Sequence, residues 1–186
     1  MSEETVILHG APTLAGIKTG SLFRCKYADA EEMRASLREW NQRFSAKGIR
    51  VVPLMFRDGK ALLYLYRPAR LSQDLSDHCA SLILSDCGYC EGTPARCLSC
   101  LAKRIQSGEE FPHEIGLFLG YPPEDVRGFI EHRDCDLKCV GCWKVYGDKE
   151  KAQKTFRKFR KCSRIYRQKW EEGTAIDRLT VADRRM

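Results

Sequence analysis

The densest chemistry in this sequence is sulfur. Cys87-x2-Cys90-x6-Cys97-x2-Cys100 sets two C-x-x-C pairs close together, and such pairing is how a short segment brings four thiolates to one tetrahedral zinc ion at about 2.3 Å. The six residues between the pairs are fewer than the roughly 15–20 of a zinc ribbon, so the spacing satisfies the coordination rule without matching a named module. A second group, Cys135-x3-Cys139-x2-Cys142, supplies three thiols and needs a fourth ligand, for which His132 and Cys162 are the candidates. Two plainer roles compete for these residues: small apolar packing, the expectation for Cys25 and Cys79, and a dithiol redox switch.

Outside the cysteines, His113-Glu114 places a carboxylate beside an imidazole, next to Pro112 and ahead of an apolar stretch punctuated by Gly116 and Gly120. With a cysteine this pair would supply base and nucleophile for thiol or hydrolytic chemistry. The competing reading is a histidine that holds a turn through local hydrogen bonds. His9, before Gly10, is equally ambiguous, and the small-residue loop that follows lacks the Lys-Ser/Thr ending of a phosphate-binding P-loop. No nucleotide motif is present.

The charge is lopsided. The net charge is +7, and residues 143–186 alone hold 14 Lys and Arg against six Asp and Glu. Within 149–169 ten basic residues meet the single acidic Glu150, with Phe156, Phe159 and Tyr166 at core spacing and Trp170 just beyond. The face carrying Lys158, Arg160, Lys161 and Arg164 suits nucleic-acid phosphates, or an acidic protein partner such as an electron carrier. Because the aromatics recur at the spacing of a buried stripe, they are expected to anchor the helix and leave the charges to solvent or a partner.

These groups need a scaffold, and 186 residues with 43% hydrophobic and 31% charged composition suit one globular domain. No run approaches the roughly 18 apolar residues of a membrane span, and the acidic start Met1-Ser2-Glu3-Glu4 is unlike a signal peptide. The expected location is therefore the cytoplasm, where the ten cysteines would be reduced or metal-bound and not in disulfides.

The expected class is α+β: a small antiparallel sheet with a β-hairpin in residues 1–70, a helical cysteine-rich part over 71–147, and a basic C-terminal helix and tail over 148–186. Val6 to Leu8 reads as a short strand, residues 10–20 as a loop, and Leu22 to Tyr27 as a second strand. Asp29 caps a helix with Met33, Leu37, Trp40 and Phe44 inward, stopped by Gly48. Asp58-Gly59 joins two β-prone runs, 49–56 and 60–67, into a hairpin. Past Pro68 one helix is expected through Ile83. Thr93-Pro94 opens another with Leu98, Leu101, Ala102 and Ile105 inward, Pro122-Pro123 opens a short one, and Asp148 caps the last.

Two resemblances add to this reading. Cys135-Asp136-Leu137-Lys138-Cys139-Val140-Gly141-Cys142-Trp143 resembles the cluster loop of radical S-adenosylmethionine enzymes, where three cysteines hold a [4Fe–4S] cluster. Only 44 residues follow Cys142 here, too few for the partial barrel those enzymes build after the loop, so radical chemistry is disfavoured while ligation stays open. The run Phe111-Pro112-His113-Glu114-Ile115-Gly116-Leu117-Phe118-Leu119-Gly120-Tyr121-Pro122, with Asp125-Val126-Arg127-Gly128-Phe129, Ala11-Pro12-Thr13-Leu14-Ala15-Gly16 and Trp143-Lys144-Val145-Tyr146-Gly147-Asp148, resembles domain-of-unknown-function family 3793. That resemblance implies a bacterial, mainly anaerobic setting and carries no activity or cofactor. The combined expectation is a zinc or iron–sulfur accessory protein in anaerobic metal or redox metabolism, with nucleic-acid or acidic-partner binding and a thiol or hydrolytic enzyme as alternatives.

Overall fold

A computed structural model describes residues 1–90, 92–108 and 110–183; positions 184–186 of the basic tail lie outside them. The chain is α+β and divides into two compact units, residues 1–69 with 161–186, and residues 70–160.

The first unit opens with a helix, α1 (Glu3–Leu14), capped by the Ser2 side chain accepting from Thr5 N, with Glu3 and Glu4 in its first turn. The short strand expected at Val6 to Leu8 and the loop expected from Gly10 are both corrected by this. The buried positions Val6, Ile7, Gly10, Ala11 and Leu14 follow helical spacing. The small residues are there for contact: a Cβ at Gly10 would lie 2.5 Å from Leu65 Cδ2, so the helix presses against the sheet at that point. Proline at position 12 lacks the N–H that would complete the ladder, yet the helix ends only two residues later.

Strand β1 (Gly20–Lys26) leads to α2 (Ala30–Ser45), capped by Asp29 accepting from Glu32 N, with Met33, Leu37, Trp40 and Phe44 buried as expected. β2 (Arg50–Arg57) and β3 (Lys60–Tyr66) form the hairpin. Its turn residues Asp58 and Gly59 take φ of 50° and 67°, the left-handed pair that matches strand twist. The sheet order is β1-β3-β2, antiparallel throughout. Pro53 therefore falls on an edge strand, beside a register shift before Met55, where its missing donor is tolerated.

The second unit is mostly helical. The single helix expected past Pro68 is two, α3 (Pro68–Ser76) and α4 (His78–Asp86), because Asp77 takes extended backbone and caps the second by accepting from Ala80 N. The break re-aims the stripe, so Leu82 and Cys79 face solvent while Ile83 and Leu84 are buried. α5 (Pro94–Ser107) starts at the Thr93 cap and ends at Gly108, φ 74°. A four-residue helix, α6 (Ile115–Phe118), and α7 (Pro123–His132) follow. A two-residue pair, β4 (Cys139–Val140) and β5 (Lys144–Val145), folds the second cysteine group into a miniature hairpin.

α8 (Lys149–Glu171) begins in the second unit, with Lys151 N donating to Asp148, and ends in the first. Ala152 and Phe156 pack with Val145 in the second unit, whereas Tyr166 and Trp170 cover the first unit's core. α9 (Ile176–Leu179) and the tail close the first unit around Arg67, which is wholly buried. All five of its N–H groups are used: Thr13 O, Leu14 O, Lys47 O, Val181 O and Asp183 Oδ1 each accept one. One guanidinium thus adds a second donor to carbonyls at the end of α1 and just past α2, Thr13 O, Leu14 O and Lys47 O, which also accept backbone N–H groups.

Candidate functional site

The cysteines of the first group stand at the corner between α4 and α5. Cys87 ends α4, its N–H bonded back to Ile83 O and Ser85 O. Gly88, at φ 81°, turns the chain so that Tyr89 points inward and Cys90 faces out. Thr93 then caps α5, and Cys97 and Cys100 follow one turn apart within its first half. Cys90, Cys97 and Cys100 line a single cavity of about 420 Å³ together with Tyr89, Arg96 and Lys103.

A polar knot around buried Tyr89 and Glu114 fixes this corner. Tyr89 Oη donates to Glu114 Oε1 at 2.9 Å, and Arg104 Nε reaches the same oxygen at 2.8 Å. Arg104 Nη1 also donates to Cys87 O at 3.1 Å, and its guanidinium lies 5.7 Å from the Tyr89 ring centroid. Burial, reinforced by the Glu114 charge, pushes the Tyr89 hydroxyl well above its ordinary range. Burial also raises the Cys87 thiol, with Glu114 adding to it and Arg104 opposing. The Cys97 thiol is raised by burial first and by neighbouring Cys100 second. Without a metal, both thiols are held in the protonated form at neutral pH.

Nothing comparable gathers the second group. Cys139 packs against the Val145, Ala152 and Phe156 cluster, Cys135 is exposed, and Cys142 lines a different pocket. His132 lies exposed beside Glu131, and Cys162 belongs to the other unit. None of the ten cysteines, all of them within the described residues, is in a disulfide. Among the described residues no three His, Cys, Asp or Glu side chains are close enough to hold a metal ion as they stand.

His113 and Glu114 serve different partners. Glu114 is buried on Tyr89 and Arg104, whereas His113 Nε2 accepts from Arg133 Nη1 at 3.1 Å and lies 3.7 Å from Glu110. The two residues do not form a dyad. His9 is exposed and stacks on Phe23 at 5.2 Å. On α8, Lys158, Arg160, Lys161 and Arg164 are exposed, while Phe156 and Phe159 are buried.

Sequence reasoning passed over Tyr89, Arg104 and Asp125. The last is buried and accepts from Trp143 Nε1 at 2.7 Å, Tyr146 N at 2.8 Å and Gly147 N at 2.7 Å, locking the β4–β5 hairpin to α7. Its signal was in view, as an acidic residue in the first turn after Pro122-Pro123, where open N–H groups favour negative charge.

Fold and site together define an α+β protein with a cysteine-lined corner in its helical unit. A family model matches residues 6–180, and the chain belongs to that family, DUF3793, whose members are proteins of unknown function. No curated protein and no solved structure gives a significant match. Among the described residues no helix is long and apolar enough to cross a membrane.

Proposed function

We propose that the α4–α5 corner is a thiolate metal site, with Cys87, Cys90, Cys97 and Cys100 as ligands and zinc as the occupant. The observation that carries this reading is the shared cavity: Cys90, Cys97 and Cys100 reach it from a glycine-hinged loop and from one helix face, with Cys87 three residues before Cys90. Four thiolates without carboxylate or water suit a closed structural or metal-handling site. The thiols stand too far apart to ligate at once, so binding draws Cys87 and Cys90 toward Cys97 and Cys100 and couples metal to local order.

The iron–sulfur reading is weaker, because Cys135, Cys139 and Cys142 have three different surroundings. The base-stacking form of nucleic-acid binding is weaker too, because the α8 aromatics are taken up by packing. Its exposed cations suit an acidic protein partner, and the role proposed for this site is that of a cytoplasmic metal-handling accessory in anaerobic metal or redox metabolism. Cobalt substitution tests the site. An intense thiolate-to-cobalt charge-transfer band that vanishes in Cys97→Ser and Cys100→Ser supports four-sulfur ligation, and cobalt that gives no such band refutes it.

A further inference from the structure

The second unit holds another cavity, apart from the cysteine corner. A cavity of about 250 Å³ opens between α6, α7 and the β4–β5 hairpin, walled by Phe111, Val126, Phe129 and Trp143 with His113 and Lys144 on its lining. That volume is below the roughly 300–1,000 Å³ used by drug-sized ligands, which sizes it for one or two fused rings. Of its aromatic walls, Trp143 is firmly held. Trp143 stacks on Tyr121 at 4.7 Å, meets Phe156 edge-on at 4.5 Å and donates to buried Asp125. Burial first, then nearby Cys142, pushes the Tyr121 hydroxyl up to about 12, so it stays a neutral donor. Phe111, 47% exposed, stands at the opening.

The charge around the cavity selects the guest. Lys144 Nζ lies 4.8 Å from the Phe129 ring centroid and pairs with Asp134, a residue 82% exposed. Solvent-facing pairs of that kind are weak and readily exchanged. Asp125, the carboxylate on the wall, already accepts three hydrogen bonds and has little to offer a cation. A cationic guest would also meet Lys144 already seated over Phe129. Flat aromatic walls with one ammonium at the rim call for a planar ring carrying a negative charge.

We propose that this cavity binds a small aromatic carboxylate, its ring against Phe111 and Trp143 and its carboxylate at Lys144, which lies over Phe129. The probe is 2-naphthoate, titrated into the full chain by calorimetry, with 2-naphthamide as its uncharged counterpart. Saturable one-to-one binding of naphthoate is expected, about tenfold tighter than the amide. Lys144→Met should reduce naphthoate to the level of the amide and leave the amide unchanged, and Phe111→Ala, at an exposed position, should weaken both by about tenfold. Absence of saturable naphthoate binding to the wild-type chain overturns the proposal, as does binding that neither variant alters.

Discussion

Tyr89 Oη lies 2.9 Å from Glu114 Oε1, a hydrogen bond between two buried residues 25 positions apart. It ties the loop bearing Cys87 and Cys90 to the start of α6, and Arg104 joins the same carboxylate from α5. Removing the hydroxyl leaves a buried carboxylate short of one donor.

Tyr89→Phe is therefore expected to cost about 1–2 kcal/mol in the helical unit, the range for leaving a buried acceptor partly unsatisfied. Glu114→Ala should cost more, because it strands both Tyr89 and Arg104. Denaturant unfolding followed by circular dichroism reads both effects, and equal, negligible changes would show the knot to be idle.

In the first unit, Arg67→Met should be destabilising, by about 3 kcal/mol, the low end for breaking a buried ion pair, since it removes the partner of half-buried Asp183 and a donor to four carbonyls, three of which keep a backbone N–H. Arg67→Lys should recover only part of this, because an ammonium has three donors and cannot reproduce the fork. A lysine variant that melts with the wild type would contradict the five-bond account.

The metal-free protein should lose stability in alkali. The folded thiols of Cys87 and Cys97 lie above the ordinary value of about 8.5. Their contribution is thus fully present below that value and lost as pH rises through the raised one. Metal affinity should run the other way, rising with pH as the thiols give up protons to become ligands. Thermal melts of metal-free protein from pH 7 to 10, beside zinc titrations over the same range, separate the two trends; parallel trends would be inconsistent with thiol ligation.

Alkylation should follow exposure. In metal-free protein Cys90, Cys135 and Cys142, all exposed, should react with iodoacetamide before buried Cys97. Added zinc should protect Cys90 and Cys100 and leave Cys135 and Cys142 reactive, as resolved by peptide mass spectrometry. Protection of the second group instead would move the site to the β4–β5 hairpin.

Much of the scaffold was legible from local signals. Asp29, Thr93 and Asp148 mark helix starts because their side chains cap, and Asp58-Gly59 marks the hairpin because that turn needs two positive φ values. The start of the chain was misread because Gly10, Ala11 and Pro12 resemble a loop in composition, whereas Gly10 is small to let Leu65 approach. Among candidate site residues, adjacency misled at His113-Glu114, whose side chains diverge to different partners, Arg133 and Glu110 for the imidazole, Tyr89 and Arg104 for the carboxylate. Sequence spacing also made the two cysteine groups look equivalent. Only tertiary placement separates the group in which Cys90, Cys97 and Cys100 share a cavity from the one divided among an exposed turn, a packed strand and a pocket rim.

The central claim is most directly tested by elemental analysis of protein purified without exposure to oxygen, wild type beside Cys97→Ser and Cys135→Ser. The account predicts one zinc per chain in the wild type and in Cys135→Ser, and loss of the metal in Cys97→Ser. Wild-type protein free of metal, or zinc retained in Cys97→Ser and lost in Cys135→Ser, would contradict it.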